Sequence, residues 1–211
     1  MVYIFDFDGT LVNSMPFWAG THINFLKKYG IPVPENFVDT ITPLGNERAS
    51  KHTISLGVPL SFEEYITELN EIFRVAYGET IEAKAHVKET LLALKAAGHS
   101  VNVLTASPHR FLDPCLKRNG IYDLFEEVWS IDDFGHTKSE TIIYEKTAAR
   151  LGVTVGECIF VDDNFTAIST AKAAGMKTIA IYDASAASFE GQMRAVADRY
   201  VVDFAEIAEL C

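Results

Sequence analysis

The stretch VYIFDFDGTLVNS, residues 2–14, decides how this chain is read. Four apolar residues run directly into Asp6 and Asp8, which are followed by Gly9 and Thr10. A short continuous apolar run of this kind fits a strand buried on both faces. Residues two apart on an extended strand point to the same side. Two negative charges therefore arrive together at the end of a buried strand, Asp6 deeper and Asp8 nearer the mouth, and Gly9 lets the chain turn sharply after them.

From about residue 85 one pattern recurs: a helical stretch closes on glycine and an apolar strand follows within a few residues. It is seen in LLALKAAGHSVNVL, CLKRNGIYDLFEEVW, TAARLGVTVGECIFV and TAKAAGMKTIAIY. Glycine just past a helix supplies the left-handed residue that ends it. Helices alternating with such strands predict an α/β fold, a parallel sheet covered by helices on both sides. Residues 14–83 read differently. MPFWAGTHINFLKKYG, NERASKHTISLG and SFEEYITELNEIFRVAYG have helical character with no strand between them, and Ser61 with Glu64 forms a capping box. The expected organisation is a sheet domain made of residues 1–13 and 84–211, with a small helical domain inserted at 14–83.

Of the 211 residues, 48% are apolar, enough for a real core, and the formal net charge is −11. That charge argues against nucleic acid and anionic membrane surfaces as partners, since both would be repelled. No apolar run is long enough to span a bilayer, and the N-terminus does not read as a signal peptide. Cys115, Cys158 and Cys211 are far apart and odd in number, so they read as reduced thiols in a reducing compartment, and a cytoplasmic address follows. The sequence does not set the oligomeric state; a monomer is compatible with it.

In open α/β sheets, ligands bind beyond the carboxyl ends of the strands. Residues following the apolar runs therefore form the candidate site: Asp6 and Asp8, Thr105, and Asp162 with Asp163, joined by Lys138, which is expected to open a helix in HTKSETIIY. Carboxylates crowded at one sheet edge repel each other, and a bound divalent cation removes that penalty. Hard oxygen ligands without suitably spaced His or Cys point to Mg²⁺. An aspartate can act as a nucleophile, and a second carboxyl beside it as general acid and base.

Taken together, these motifs resemble the haloacid dehalogenase-like (HAD) superfamily. DFDGTLVNS is similar to its first motif, in the DxDGT phosphatase branch that includes phosphoglycolate phosphatase-like and β-phosphoglucomutase-like enzymes. VLTAS resembles the second, Lys138 with Tyr144 the third, and FVDDN the fourth. The resemblance implies a HAD-like Rossmannoid core with a helical first-type cap. It also implies that Asp6 is nucleophile and metal ligand, and that Asp8 is general acid/base with its backbone carbonyl on the metal. Thr105, Ala106 and Lys138 would bind the phosphoryl group. Asp163 would ligate Mg²⁺ directly, and Asp162 directly or through water. Ser139 and Thr141 stand where the third motif usually has prolines, which bears on how the loop is held.

Other features have plainer readings. Ser107 before Pro108 is expected to cap a helix, with phosphate contact the lesser reading. Asp132 and Asp133 read as loop or helix-start residues, and the six histidines as structural or exposed. Arg48 and Lys51 either meet an anionic part of the substrate or are ordinary solvated charges. Phe17 and Trp18 either line the pocket or pack within the inserted domain. The expected function is Mg²⁺-dependent hydrolysis of a small phosphorylated metabolite. A sugar-phosphate mutase of the same fold is the alternative, disfavoured because Trp18 stands where such mutases carry a histidine. A silent phospho-ligand binder is less favoured, since every motif residue is present.

Overall fold

The computed structural model describes residues 1–209, so Cys211 lies outside the described residues. Gly98, Gly120, Gly152 and Gly175, the glycines that close the repeated helices, have φ of 81°, 64°, 70° and 99°. A β-carbon is disfavoured in that region, so each helix stops there and the chain enters a strand.

The strands are β1 (Val2–Phe5), β2 (Ser100–Thr105), β3 (Glu127–Ser130), β4 (Cys158–Asp162), β5 (Lys177–Ile181) and β6 (Arg199–Val201). They form one parallel sheet in the order β3-β2-β1-β4-β5-β6. β1 lies inside, with Phe5 opposite Val103 of β2 and Val161 of β4. Asp6, the next residue, thus emerges between the ends of those two strands. The fold is the α/β architecture the sequence predicts. The three-residue β6 and the helix Phe37–Ile41 are additions to that reading, both too short to carry a visible period.

Side-chain alternation divides the core. Tyr3, Phe5, Val101, Val103 and Val161 face one cluster. Ile4, Leu104 and Phe160 face the other. Helices α1 (Met15–Lys28), α2 (Phe37–Ile41), α3 (Gly45–Ser55), α4 (Phe62–Glu79), α5 (Val87–Ala96) and α6 (His109–Arg118) contribute to the first cluster. Helices α7 (Thr141–Arg150), α8 (Phe165–Ala174) and α9 (Glu190–Val196) cover the second. The short α10 (Ala205–Ala208) returns to the first. None of the described helices is long and apolar enough to cross a membrane.

The helices α1–α4 intervene between β1 and the rest of the sheet. The Ser61–Glu64 capping box is formed, with the Ser61 N–H donating to Glu64 Oε2 at 2.8 Å and the Glu64 N–H to Ser61 Oγ at 3.2 Å. The chain enters and leaves this insertion at one place. Val12 bridges Ala83 antiparallel, the Asn13 N–H donates to Glu82 O at 3.0 Å, and the Lys84 N–H to Leu11 O at 2.9 Å. Asn119, just past α6, fastens the returning strand. Its amide donates to Ile81 O at 3.1 Å and accepts from the Ala83 N–H at 2.7 Å. Replacing Asn119 with alanine leaves the part-buried Ala83 N–H without its acceptor, while Ile81 O keeps Arg118 and Cys115, so a loss of about 1–3 kcal/mol is expected in urea unfolding.

Candidate active site

Lys138 is the centre of the charged cluster. Its ammonium donates to Asp6 Oδ1 at 2.6 Å and to Asp162 Oδ2 at 2.8 Å. Burial opposes its charge, but Asp162 and then Asp6 outweigh that and hold its pKa above the ordinary lysine range. Lys138 does not open a helix as expected: α7 begins at Thr141, and Lys138 lies in the preceding turn. Glu140 and Tyr144 hold that turn. The Thr137 N–H donates to Glu140 Oε2 at 2.8 Å, and the Tyr144 hydroxyl lies 2.8 Å from Lys138 O and 3.0 Å from Ala167 O.

The second carboxylate at the end of β4 is held from the first motif. Thr10, fully buried, donates through its hydroxyl to Asp163 Oδ1 at 3.0 Å and accepts from the Asp163 N–H at 3.1 Å. The sequence reading did not single out Thr10 as a site residue; its signal was its place in the DFDGT run. Gly9 beside it has φ +77°, and a β-carbon there would lie 2.4 Å from Asp163 Oδ2. The glycine is thus required twice, by its backbone conformation and by the carboxylate packed against it.

Oxygen atoms of Asp6, Asp162 and Asp163 lie within 4.8 Å of one another, all three residues buried. Burial pushes Asp162 up to about 7, with Lys138 opposing and Asp6 adding. Burial, then Asp162 and Asp6, raises Asp163 well above the usual carboxylate range. Three buried carboxylates, two of them paired with Lys138, make an all-oxygen donor set short of positive charge, and such a set fits a hard divalent cation.

The Asp8 carboxylate stands apart from that trio. Its Oδ1 accepts from the Tyr77 hydroxyl at 2.5 Å, and its Oδ2 from the Ser107 hydroxyl. Burial, then Asp6, raises its pKa, while Ser107, Ser14 and Tyr77 oppose the rise. Ser107 is therefore not the cap residue expected of it. Pro108 occupies the cap position, α6 starts at His109, and the Ser107 hydroxyl is spent on Asp8. Tyr77 was also missed, because nothing local to residue 77 marks a contact with residue 8.

Thr105 ends β2 almost fully buried and accepts from the Ser107 N–H at 3.1 Å, while Ala106 is exposed beside it. Arg48 is exposed on α3 and donates to Leu44 O at 3.2 Å; no contact joins it to the carboxylates among the described residues. Lys51 pairs with Glu47 on the same helix. Trp18 is buried and donates to Asn46, and Phe17 packs on Phe73, so both belong to the core of the insertion. Asp133 takes up the Ser130 N–H and His109 in a short turn, as a loop residue would.

Comparison with known proteins adds four findings. Residues 3–181 match the family model described as haloacid dehalogenase-like hydrolase. A phosphoglycolate phosphatase of Salmonella typhi is 32% identical over 201 residues, covering 84% of this chain and 79% of its own. The pyrophosphatase PpaX of Bacillus cereus is 29% identical, covering 95% and 89%. Among solved structures, a predicted phosphoglycolate phosphatase from Haemophilus somnus 129PT superposes with a TM-score of 0.83 at 26% identity, covering 99% of this chain and 96% of that one.

The raised carboxylates carry a pH consequence. Between the ordinary aspartate pKa and about 7, the unfolded chain releases a proton that folded Asp162 keeps, so stability is fully present below that window and lost as pH rises through it. Lys138, raised above its ordinary value, stays charged throughout. Thermal unfolding without cation is expected to show Tm falling from pH 5 to pH 7.5. Millimolar Mg²⁺ is expected to restore it most at the upper end, and Gly9→Ala to remove the Mg²⁺ effect.

Proposed function

The chain belongs to the haloacid dehalogenase-like hydrolases, and on that basis we propose that it is a Mg²⁺-dependent phosphatase acting on a small phosphorylated metabolite. The observation that carries the reading is the Asp6–Lys138–Asp162 ion-pair network with Asp163 beside it and Asp8 held separately. This arrangement supplies a nucleophile, a neutralising cation and a distinct acid/base. Mg²⁺ would be held by the side chains of Asp6, Asp163 and Asp162 with the Asp8 carbonyl, and would neutralise the charge gathered there.

Asp6 attacks phosphorus, and the bond to the ester oxygen breaks as Asp8 protonates that oxygen. Asp8 then takes a proton from a water that attacks the aspartyl-phosphate, releasing inorganic phosphate and restoring the Asp6 carboxylate. Lys138 holds Asp6 in place through its contact with Oδ1, and with Thr105 and the Ala106 N–H it receives the phosphoryl oxygens. Residues 14–83 act as a cap on a core of residues 1–13 and 84–211. The hinges lie at 12–16 and 80–85, where the two crossing strands pair. Arg48 is the cap cation offered to an anionic end of the substrate. The buried thiols Cys115 and Cys158 favour a reducing compartment, and with it the cytoplasm.

The Salmonella relative's name puts phosphoglycolate at the head of the substrates to try, and the Bacillus relative's name adds pyrophosphate. The test is phosphate release from a panel of phosphorylated metabolites with Mg²⁺ or EDTA. Release is expected only with the cation and to vanish in Asp6→Asn, which should retain its fold. Turnover unchanged in that variant would overturn the mechanism, and interconversion of a sugar phosphate without release would assign a mutase instead.

A further inference from the structure

Tyr77 has no part in the chemistry just described, yet it reaches the acid/base from the far side of the inserted helices. It lies in the last turn of α4 and is 4% exposed. Three rings fix its own. Phe7 is stacked on it at 5.7 Å, Phe111 is nearly parallel at 5.6 Å and 13°, and Phe73 meets it edge-on at 6.0 Å and 83°. A ring so enclosed cannot swing away without displacing its neighbours. Its hydroxyl donates to Asp8 Oδ1 at 2.5 Å, while Ser107 holds Oδ2. Fully buried Ser14 stands by both groups.

A carboxyl group on a single flexible carbon turns freely unless both oxygens are held. Here one oxygen is held from the loop after β2 and the other from the inserted helices. We propose that Tyr77 is a positioning residue that orients Asp8 for protonation of the leaving oxygen, making Asp8's aim depend on how α4 is seated. The inference rests on Asp8 being the acid/base. It goes beyond that reading by making a residue of the insertion, which does not touch the phosphoryl group, necessary for departure of a poor leaving group.

Leaving-group chemistry separates this role from a merely structural one. An alkyl ester needs its departing oxygen protonated, whereas p-nitrophenolate departs without help. In Tyr77→Phe, which keeps the ring and loses only the donor, kcat/KM for phosphoglycolate is expected to fall. The same holds for whichever alkyl monoester of the panel is turned over faster. The expected fall is about 10- to 100-fold, while kcat/KM for p-nitrophenyl phosphate stays within about threefold. Phe111→Leu, which removes the parallel ring and leaves the hydroxyl, is expected to move the ratio of the two values the same way by a smaller factor. It carries the test if Tyr77→Phe lacks a cooperative thermal transition.

Asp8→Asn serves as the control and is expected to give the larger change in the same ratio. If Asp8→Asn changes the ratio and Tyr77→Phe lowers both values equally, or neither, the positioning role is overturned while the acid/base reading stands. If Asp8→Asn leaves the ratio unchanged, the acid/base reading itself fails, and the Tyr77 proposal with it.

Discussion

Three carboxylates buried within 4.8 Å of one another, two of them paired with the Lys138 ammonium, are the constraint to which the rest of this structure answers. Such a cluster is unfavourable by itself, since burial and mutual repulsion both oppose ionisation. The fold imposes it through a continuous parallel sheet, which sets the ends of β1 and β4 side by side and cannot be loosened locally. The third-motif turn brings Lys138 to two of the acids, and Thr10 and Gly9 shape the space around the third. Local strain in the site is thus held by packing at a distance from it.

Much of this was legible in the sequence because it is local or periodic. Apolar runs ending in aspartate placed Asp6, Asp162 and Asp163 at strand ends, and the glycine-closed helices gave the parallel α/β architecture. What escaped the sequence depends on contacts made across the fold. Ser107 looks like a cap because serine before proline commonly is one, and only the approach of Asp8 diverts its hydroxyl. Lys138 sits ahead of its helix because Glu140 and Tyr144 tie down the turn. Tyr77 is separated from Asp8 by the whole insertion, and no spacing rule connects them.

The insertion is joined to the sheet by two crossing strands that pair with each other, yet its aromatic interior merges with the core beneath. Phe73, Tyr77 and Phe111 belong to the same cluster as Phe5 and Val103. Seating of the helices and order around Asp8 are therefore linked through van der Waals contact as well as hydrogen bonds. A change in insertion residues far from any phosphate can act on catalysis through that shared packing.

The position of β1 also bears on the order of assembly during synthesis. The first of the described strands in chain order is an interior one, paired with residues 100–103 on one side and 158–161 on the other. A nascent chain that has not yet exposed β4 holds an unpaired strand edge ending in Asp6. Helices α1–α4 lie between β1 and both of its partner strands in the chain, so they are made before either partner. Those helices would then be complete while the strand that leads to Asp6 still has both edges open.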